Sequence, residues 1–157
     1  LAKCEPARYG KRSLMFKSIL IVCTGNICRS PVGERALAAL CPQLTVTSAG
    51  IGALVGRGVD SDAASIARAH GVNVEGHVAR QITPEILAEH DLVLVMGPEH
   101  RQYIGANTPH ASGKTMFFDR WERNEGIADP FRQSIEFHRL IYNEIDIAAR
   151  SWAKQLS

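Results

Sequence analysis

The chain has no apolar run long enough to cross a membrane, no excess of one charge and no internal repeat. The apolar segment 92–96 has the length of a strand, whereas a transmembrane helix needs about 20 apolar residues. A net charge of +2 does not indicate a basic surface for nucleic acid or for an anionic membrane. We therefore expect no membrane insertion and no nucleic-acid partner.

The chain also lacks the cysteine and histidine patterns of disulfide-rich and zinc-binding proteins. Its four cysteines, at positions 4, 23, 28 and 41, fit neither a disulfide framework nor a zinc site. Its six histidines show no paired metal-ligand spacing beside acids or cysteines. The sequence therefore predicts no bound metal.

The composition is that of a single globular domain: 157 residues, of which 45% are apolar and 22% charged. Residues 1–14 mix Lys and Arg with Pro and Gly and show no periodicity, so we expect a disordered extension or a remnant of cloning. A basic regulatory arm is the alternative. The segment 15–17 has the pattern of a natural start, which predicts the domain at residues 15–157.

Short apolar segments alternate with helical patterns along the chain. The pattern predicts strands at 19–22, 44–47, 92–96 and 115–118, and a last helix from Pro130 to about Gln155. This order is typical of an α/β three-layer sandwich, in which helices cover both faces of a mostly parallel sheet. Ligands of such sheets bind beyond the carboxyl ends of the strands.

The most informative motif is a C-x5-R-S loop, from Cys23 to Ser30, between the first predicted strand and the first predicted helix. Such a loop directs backbone N–H groups and the helix dipole at one point, where an anion can bind. There Arg29 can hold a phosphate through two hydrogen bonds, and we expect Cys23 to persist as a thiolate. Gly25 and Asn26 tolerate the positive φ that the curl requires. The Ser30 hydroxyl could donate to the Cys23 sulfur, cap the helix, or do both.

A thiolate that attacks a phosphate monoester needs an acid to protonate the departing oxygen. Asp129 is the candidate, since the following Pro130 keeps it out of the helical region. The alternative is that Asp129 caps the last helix, with Pro130 in its first turn. Spacing in the sequence does not decide between the two.

The segments 22–31 and 129–131 resemble the phosphate-binding loop and the general-acid loop of the low-molecular-weight protein tyrosine phosphatases. The segments 47–50 and 77–81 also resemble that family, in the expected order, and the likeness runs from about Met15 to the C-terminus. The resemblance implies a four-stranded parallel sheet flanked by helices, with no metal and no cofactor.

The resemblance also implies a role for each residue of the site. Cys23 would be the nucleophile, Arg29 the phosphate clamp, and Asp129 the acid that later serves as base. Ser30 would stabilise the thiolate. Asn26 would hold the strained loop.

His77 would support Asn26 from behind, although an ordinary surface histidine is the alternative. The remaining loop residues, Thr24, Gly25, Ile27 and Cys28, would surround the phosphate. Cys28 could also form a reversible disulfide with Cys23, or be a small packed side chain.

Two departures refine the likeness. The segment 50–56 has Leu54 as its bulky residue where eukaryotic members have a large aromatic, which is similar to the bacterial branch associated with exopolysaccharide export. Phe131 replaces the usual tyrosine and keeps a phenyl wall for the substrate ring.

The implied partner is a phosphotyrosine protein, a bacterial tyrosine autokinase. We expect a cytoplasmic protein, because Cys23 must stay reduced. We also expect a monomer or a weak dimer.

Two other functions remain as alternatives. A thioredoxin-coupled arsenate reductase shares the C-x5-R loop but needs relay cysteines, and residues 78–96 contain none. A phosphotyrosine-binding module would need the loop but not Asp129.

Overall fold

The computed structural model describes residues 16–157, so the extension expected at 1–14 lies outside the described residues. In residues 16–157 four strands form one sheet in the order β2-β1-β3-β4, with every pairing parallel. The strands are β1 (Ser18–Cys23), β2 (Thr45–Gly50), β3 (Leu92–Val95) and β4 (Thr115–Phe117). The helices are α1 (Arg29–Leu40), α2 (Ser61–Ala69), α3 (Pro84–Ala88), α4 (Pro98–Asn107) and α5 (Ile135–Leu156), with a 3-10 helix at Pro109–Lys114.

Helices cover both faces of the sheet, so the expected α/β three-layer sandwich is confirmed. Ile19 and Ile21 of β1 face the core shared with α1, α2 and α5. Leu20 and Val22 face the opposite core, which α3 and α4 close. All four side chains are fully buried, which explains why β1 is an unbroken apolar run rather than an alternating one. In the described part of the chain, no helix has the length and apolar character needed to span a bilayer.

The carboxyl ends of three strands meet at one edge of the sheet and hold the candidate site. At that edge β1 ends in Cys23, beside Gly50 at the end of β2. β3 ends nearby and passes through Gly97 into α4. The site therefore lies where parallel α/β sheets bind their ligands.

The last helix begins later than the sequence predicts. Its N-cap is Ser134, whose hydroxyl accepts from the Phe137 N–H at 3.2 Å, and not Asp129. The segment before it cannot be helical, because Arg132 has a φ of 61° and Asp129 accepts from the Phe131 N–H at 3.0 Å in a tight turn. Both the expected start at Pro130 and the capping alternative for Asp129 are therefore wrong.

Of the uses left open for Ser30, the helix cap is wrong. Helix α1 begins at Arg29, and its N-cap residue Cys28 makes no side-chain capping bond. Ser30 lies inside the first turn, and its hydroxyl contacts the Cys23 sulfur instead.

Helix α5 is fastened to the sheet through a buried indole. Trp152 is 3% exposed and donates from Nε1 to the carbonyl of Phe118 at 2.7 Å, just after β4. Replacing Trp152 by Phe leaves that buried carbonyl without its partner and opens a small cavity.

We expect Trp152→Phe to lower the free energy of unfolding by about 2–3 kcal/mol, measured by urea denaturation. Trp121→Phe is the matched control, because Trp121 is 43% exposed and should change stability by no more than about 0.5 kcal/mol. Equal effects of the two substitutions would contradict the assignment of this bond.

Candidate active site

The loop between β1 and α1 turns its carbonyl groups outward. Five consecutive carbonyls accept hydrogen bonds from residues outside the loop: Cys23 from Ile51 N–H (3.1 Å), Thr24 from Gly52 N–H (3.0 Å), Gly25 from Leu54 N–H (3.0 Å), Asn26 from His77 Nε2 (2.7 Å) and Ile27 from Asp60 N–H (2.8 Å). In a trans peptide the carbonyl and the following N–H point in opposite directions. The N–H groups of residues 24–28 therefore face the inside of the loop and form a site for an anion.

Asn26 stabilises this curl, the curved backbone of residues 23–28 in which the N–H groups of residues 24–28 face inward. It is fully buried and has a φ of 57°, a left-handed conformation that asparagine tolerates better than most residues. Its Nδ2 donates to the hydroxyls of Ser30 and Ser48, at 2.8 and 3.0 Å, and its Oδ1 accepts from the Arg80 N–H at 3.0 Å. Its backbone carbonyl accepts from Nε2 of His77, so that nitrogen carries the proton. The structure thus places His77 against Asn26, as the resemblance implied.

A second layer of side chains fixes the partners of Asn26. Ser48 donates to Oε1 of Glu34 at 2.7 Å, and the Arg80 guanidinium donates to the Ser48 carbonyl and the Thr47 hydroxyl, at 2.9 and 3.1 Å. The Thr47 hydroxyl in turn lies 2.6 Å from Nε2 of His90. Burial lowers the pKa of His90, so its neutral ring can accept from that hydroxyl. These bonds tie the loop to β2 and to the segment before α3.

Gly50 lets the end of β2 approach the loop. A Cβ at this position would lie 2.3 Å from the carbonyl oxygen of Thr24 and 3.0 Å from the backbone nitrogen of Asn26. The Gly50 N–H also donates to the Arg80 carbonyl at 3.0 Å. Only glycine, which has no Cβ, fits at the end of β2, because the backbone there contacts both the loop after β1 and the segment that contains Arg80.

The Cys23 sulfur lies at the base of the curl, 2.8 Å from the Ser30 hydroxyl oxygen. Because that oxygen accepts from Nδ2 of Asn26, the Ser30 hydrogen is free to point at the sulfur. Of the two uses left open for Ser30, the structure shows the contact with Cys23.

Cys28 is buried beside the curl. Burial raises the pKa of its thiol far above the ordinary value, and the negative charges of Asp60, Cys23 and Asp129 raise it further. Cys28 is therefore a neutral thiol at neutral pH, and both it and Cys23 are reduced in this structure. A disulfide between them stays a prediction.

Arg29 brings a buried positive charge to the mouth of the curl. It is 3% exposed and donates from one terminal nitrogen to the Ile127 carbonyl at 2.8 Å, while the other lies 3.6 Å from Oδ2 of Asp129. Its Nε is buried and has no hydrogen-bond partner. A buried donor left unpaired is costly, so an oxyanion bound here would satisfy it. The structure thus brings together Cys23, Arg29 and Asp129.

Above the curl lies a pocket of about 170 Å³. It is lined by Cys23, Thr24, Gly25, Ile27, Cys28, Arg29, Gly52, Leu54, Asp129 and Phe131. Leu54 and Phe131 form apolar walls, and the Asp129 side chain is 49% exposed at the rim. The pocket combines an anion-binding floor with apolar sides.

Sequence patterns assign no role to His100, which the structure places under the curl. This histidine is fully buried, and its Nε2 lies 2.9 Å from the hydroxyl of Thr24. Burial and the nearby charge of Arg29 lower its pKa to about 4. A neutral ring therefore supports the loop without adding a second positive charge. No local signal marks His100, since its partner Thr24 lies on a different element. The roles of Gly50 and Arg80 were also missed, although both residues lie in segments that resemble the family, 47–50 and 77–81.

Comparison with known proteins identifies relatives along nearly the whole chain. A family model for low molecular weight phosphotyrosine protein phosphatase matches residues 18–157. The low molecular weight protein-tyrosine-phosphatase Etp of Escherichia coli K12 is 45% identical over 144 residues, which are 92% of this chain and 97% of that protein.

Two solved structures share the fold. The tyrosine phosphatase AmsI of Erwinia amylovora superposes with a TM-score of 0.89 at 41% identity, over 95% of this chain and 98% of that one. Wzb of Vibrio vulnificus, in complex with benzylphosphonate, gives a TM-score of 0.88 at 45% identity, over 90% and 99%.

We expect Gly50→Ala to displace the loop, because the added methyl group would overlap the Thr24 carbonyl. The affinity for inorganic phosphate should fall about tenfold or more, measured by calorimetry. The free energy of unfolding should fall by about 1–3 kcal/mol. Gly113→Ala is the control, since a Cβ there has no heavy atom within 4 Å. Unchanged phosphate affinity in Gly50→Ala would contradict the role of this close approach.

The depressed pKa of His100 predicts a loss of stability in acid. Between its ordinary value of 6.5 and its folded value of about 4, the unfolded chain binds a proton that the folded protein does not. The free energy of unfolding should therefore fall as the pH drops through this window.

His100→Gln keeps a polar group beside Thr24 but cannot titrate, so its loss of stability between pH 7 and about pH 4.5 should be smaller by about 2 kcal/mol. Urea denaturation at the two pH values measures this difference. His110→Gln, at an exposed position, should follow the wild type. Parallel curves for His100→Gln and the wild type would overturn the assignment.

Proposed function

The chain belongs to the low molecular weight phosphotyrosine protein phosphatase family, as its motifs predicted, and we propose that it hydrolyses protein phosphotyrosine through a phosphocysteine intermediate. It is a protein tyrosine phosphatase of the Etp and Wzb type. The observation that carries the proposed mechanism is the Cys23 sulfur at the base of a curl of inward N–H groups, with Arg29 and Asp129 at its mouth.

The curl binds the phosphoryl group. Its inward N–H groups and the guanidinium of Arg29 supply hydrogen bonds to three non-bridging oxygens, and the unpaired Nε of Arg29 gains a partner. In the transition state the charge of the phosphoryl group is spread over its three equatorial oxygens, so donors fixed around these oxygens stabilise it.

In the first step the Cys23 thiolate attacks phosphorus on the side opposite the tyrosine oxygen. An S–P bond forms and the P–O bond to tyrosine breaks. Asp129, at the rim of the pocket, gives its proton to the departing phenolate. The products of this step are the dephosphorylated tyrosine side chain of the substrate protein, phosphocysteine and an Asp129 carboxylate.

In the second step the Asp129 carboxylate takes a proton from water, and the resulting hydroxide attacks phosphorus. The S–P bond breaks, which returns inorganic phosphate and the Cys23 thiolate. The Ser30 hydroxyl, 2.8 Å from the sulfur, stabilises the departing thiolate by hydrogen bonding. No group other than those of the chain and water is needed to balance either step.

The walls of the pocket favour a phenyl ring. Leu54 and Phe131 provide apolar surface above the anion site, and an aromatic ring can stack on Phe131. The related Wzb of Vibrio vulnificus binds benzylphosphonate, which joins a phenyl group to a phosphonate. We therefore assign the substrate as an aryl phosphate on a protein.

The protein substrate that we propose is a bacterial tyrosine autokinase of polysaccharide export, and the compartment is the cytoplasm. The likeness to Etp and Wzb and the absence of an aromatic residue in the segment 50–56 support this choice. The state in solution, monomer or weak dimer, stays a prediction.

We expect hydrolysis of p-nitrophenyl phosphate and of a phosphotyrosine peptide, and no hydrolysis by Cys23→Ser. Cys41→Ala, outside the pocket, is the matched control that should keep its activity. If folded, reduced wild-type protein hydrolyses neither compound, the proposal fails. The alternatives to test are then arsenate reduction with thioredoxin and binding of the phosphopeptide without turnover.

The role of Asp129 is tested by leaving groups of different basicity. Asp129→Asn should lower kcat/KM for phenyl phosphate by about 10²–10⁴-fold, because the basic phenolate needs a proton. The loss should be much smaller for p-nitrophenyl phosphate, whose leaving group is stable as an anion. Equal losses for the two substrates would show that Asp129 is not the acid.

A further inference from the structure

A groove opens from the rim of the phosphate pocket on the side of Asp129. Its first part, of about 550 Å³, shares Arg29 and Asp129 with the phosphate pocket and runs between the segment 123–129 and helix α5. Its second part, of about 390 Å³, continues along α5 as far as Ile147. Three residues line both parts, which therefore form one feature, the α5 groove: Arg123, Ile127 and Glu144.

Apolar side chains line the α5 groove on the side of the helix. Ile141 is buried in its wall, whereas Leu140 and Ile147 are each 52% exposed. These two residues are seven apart, so they lie on one face of α5, two turns from each other. A polypeptide lying in the groove would remove this apolar surface from water, which favours its binding.

The charged side chains of the α5 groove are mostly acidic. Of its two arginines, Arg29 serves the phosphate, and Arg123 pairs with Glu144 at 2.6 Å. An excess of negative charge therefore remains for a cationic ligand. Six carboxylates line the groove: Glu99, Asp119, Glu122, Glu125, Asp129 and Glu144.

Glu99 has no permanent positive charge beside it. Its side chain is 55% exposed, and in the described residues 16–157 no lysine or arginine forms an ion pair with it. Nε2 of His100 lies 3.4 Å away, but burial lowers the pKa of that ring to about 4, so the ring is neutral at neutral pH. A cationic group of a ligand would supply the missing partner.

We propose that the α5 groove binds the polypeptide of the substrate protein next to the phosphotyrosine and selects a lysine or arginine there. The inference rests on the proposed function, which puts the phosphotyrosine in the adjoining pocket. Because Arg29 and Asp129 line both cavities, a chain whose tyrosine occupies the pocket can continue directly into the groove. Leu140 and Ile147 then pack on that chain, and the carboxylates attract its basic side chain.

The test uses phosphotyrosine peptides that differ at one flanking position. Lys, Ala or Glu is placed in turn at each of about four positions on either side of the tyrosine. For at least one position, kcat/KM should be about three- to tenfold higher with Lys than with Glu. The difference should lie in KM, because an ion pair away from the reacting atoms stabilises the bound substrate and the transition state equally. High salt should reduce it.

The double variant Glu99→Gln, Glu125→Gln should lose most of this preference and keep its kcat/KM for p-nitrophenyl phosphate, which does not reach the groove. Both side chains are more than half exposed, so the fold should be unchanged. Leu140→Ser should raise KM about twofold or more for every peptide, since it removes apolar surface from the groove. Glu75→Gln, at an exposed acid outside the groove, is the matched control and should behave as the wild type.

The proposal is overturned if Lys is not preferred at any position, or if the preference persists in the double variant. It is also overturned if sedimentation shows a dimer that Leu140→Ser dissociates, because a second copy of the chain would then cover the groove. Binding of the same peptides to Cys23→Ser, measured by fluorescence anisotropy, reports the preference without turnover. A failure of hydrolysis, which would contradict the proposed function, is therefore distinguishable from a failure of this inference.

Discussion

The outward orientation of the carbonyls from Cys23 to Ile27 is the constraint on which the rest of the site depends. A buried carbonyl that faces away from its own loop must find a donor elsewhere, or the arrangement costs several hydrogen bonds. Each of the five has such a donor, and the last two come from distant segments, through His77 and Asp60. Asn26 accepts a left-handed backbone at the centre, and its side-chain amide is fully bonded as well. The anion site is therefore formed before any anion arrives.

The fold supplies these donors because parallel strands end at the same edge of the sheet. Residues after β1 and after β2 lie side by side there, and Gly50 removes the one methyl group that would separate them. The segment before α3 then pairs with Gly50 and brings Arg80 to Asn26. A substitution at Gly50, on β2, is therefore expected to displace the loop that follows β1.

Local patterns predicted the α/β sandwich and the loop, because strand–loop–helix order and the C-x5-R-S spacing are features of adjacent residues. The same reasoning failed where a distant contact decides. Ser30 has the sequence context of a helix cap, but its hydroxyl is used by Cys23. The start of α5 moved because Arg132 adopts a positive φ that no propensity indicates. His100 and the pair of Asp60 and His138 join elements that only the tertiary structure brings together.

The rigidity of the curl explains why the acid must come from another loop. The curl presents N–H groups and a guanidinium, all donors that stabilise negative charge but cannot transfer a proton at neutral pH. Asp129 instead projects from a turn before α5. The hydrogen bond from the Phe131 N–H to the Asp129 carboxylate holds this turn in place. Its side chain is half exposed, so water can reach it after the phenol departs. A buried acid could protonate the leaving group equally well, but it would have no water to activate in the second step.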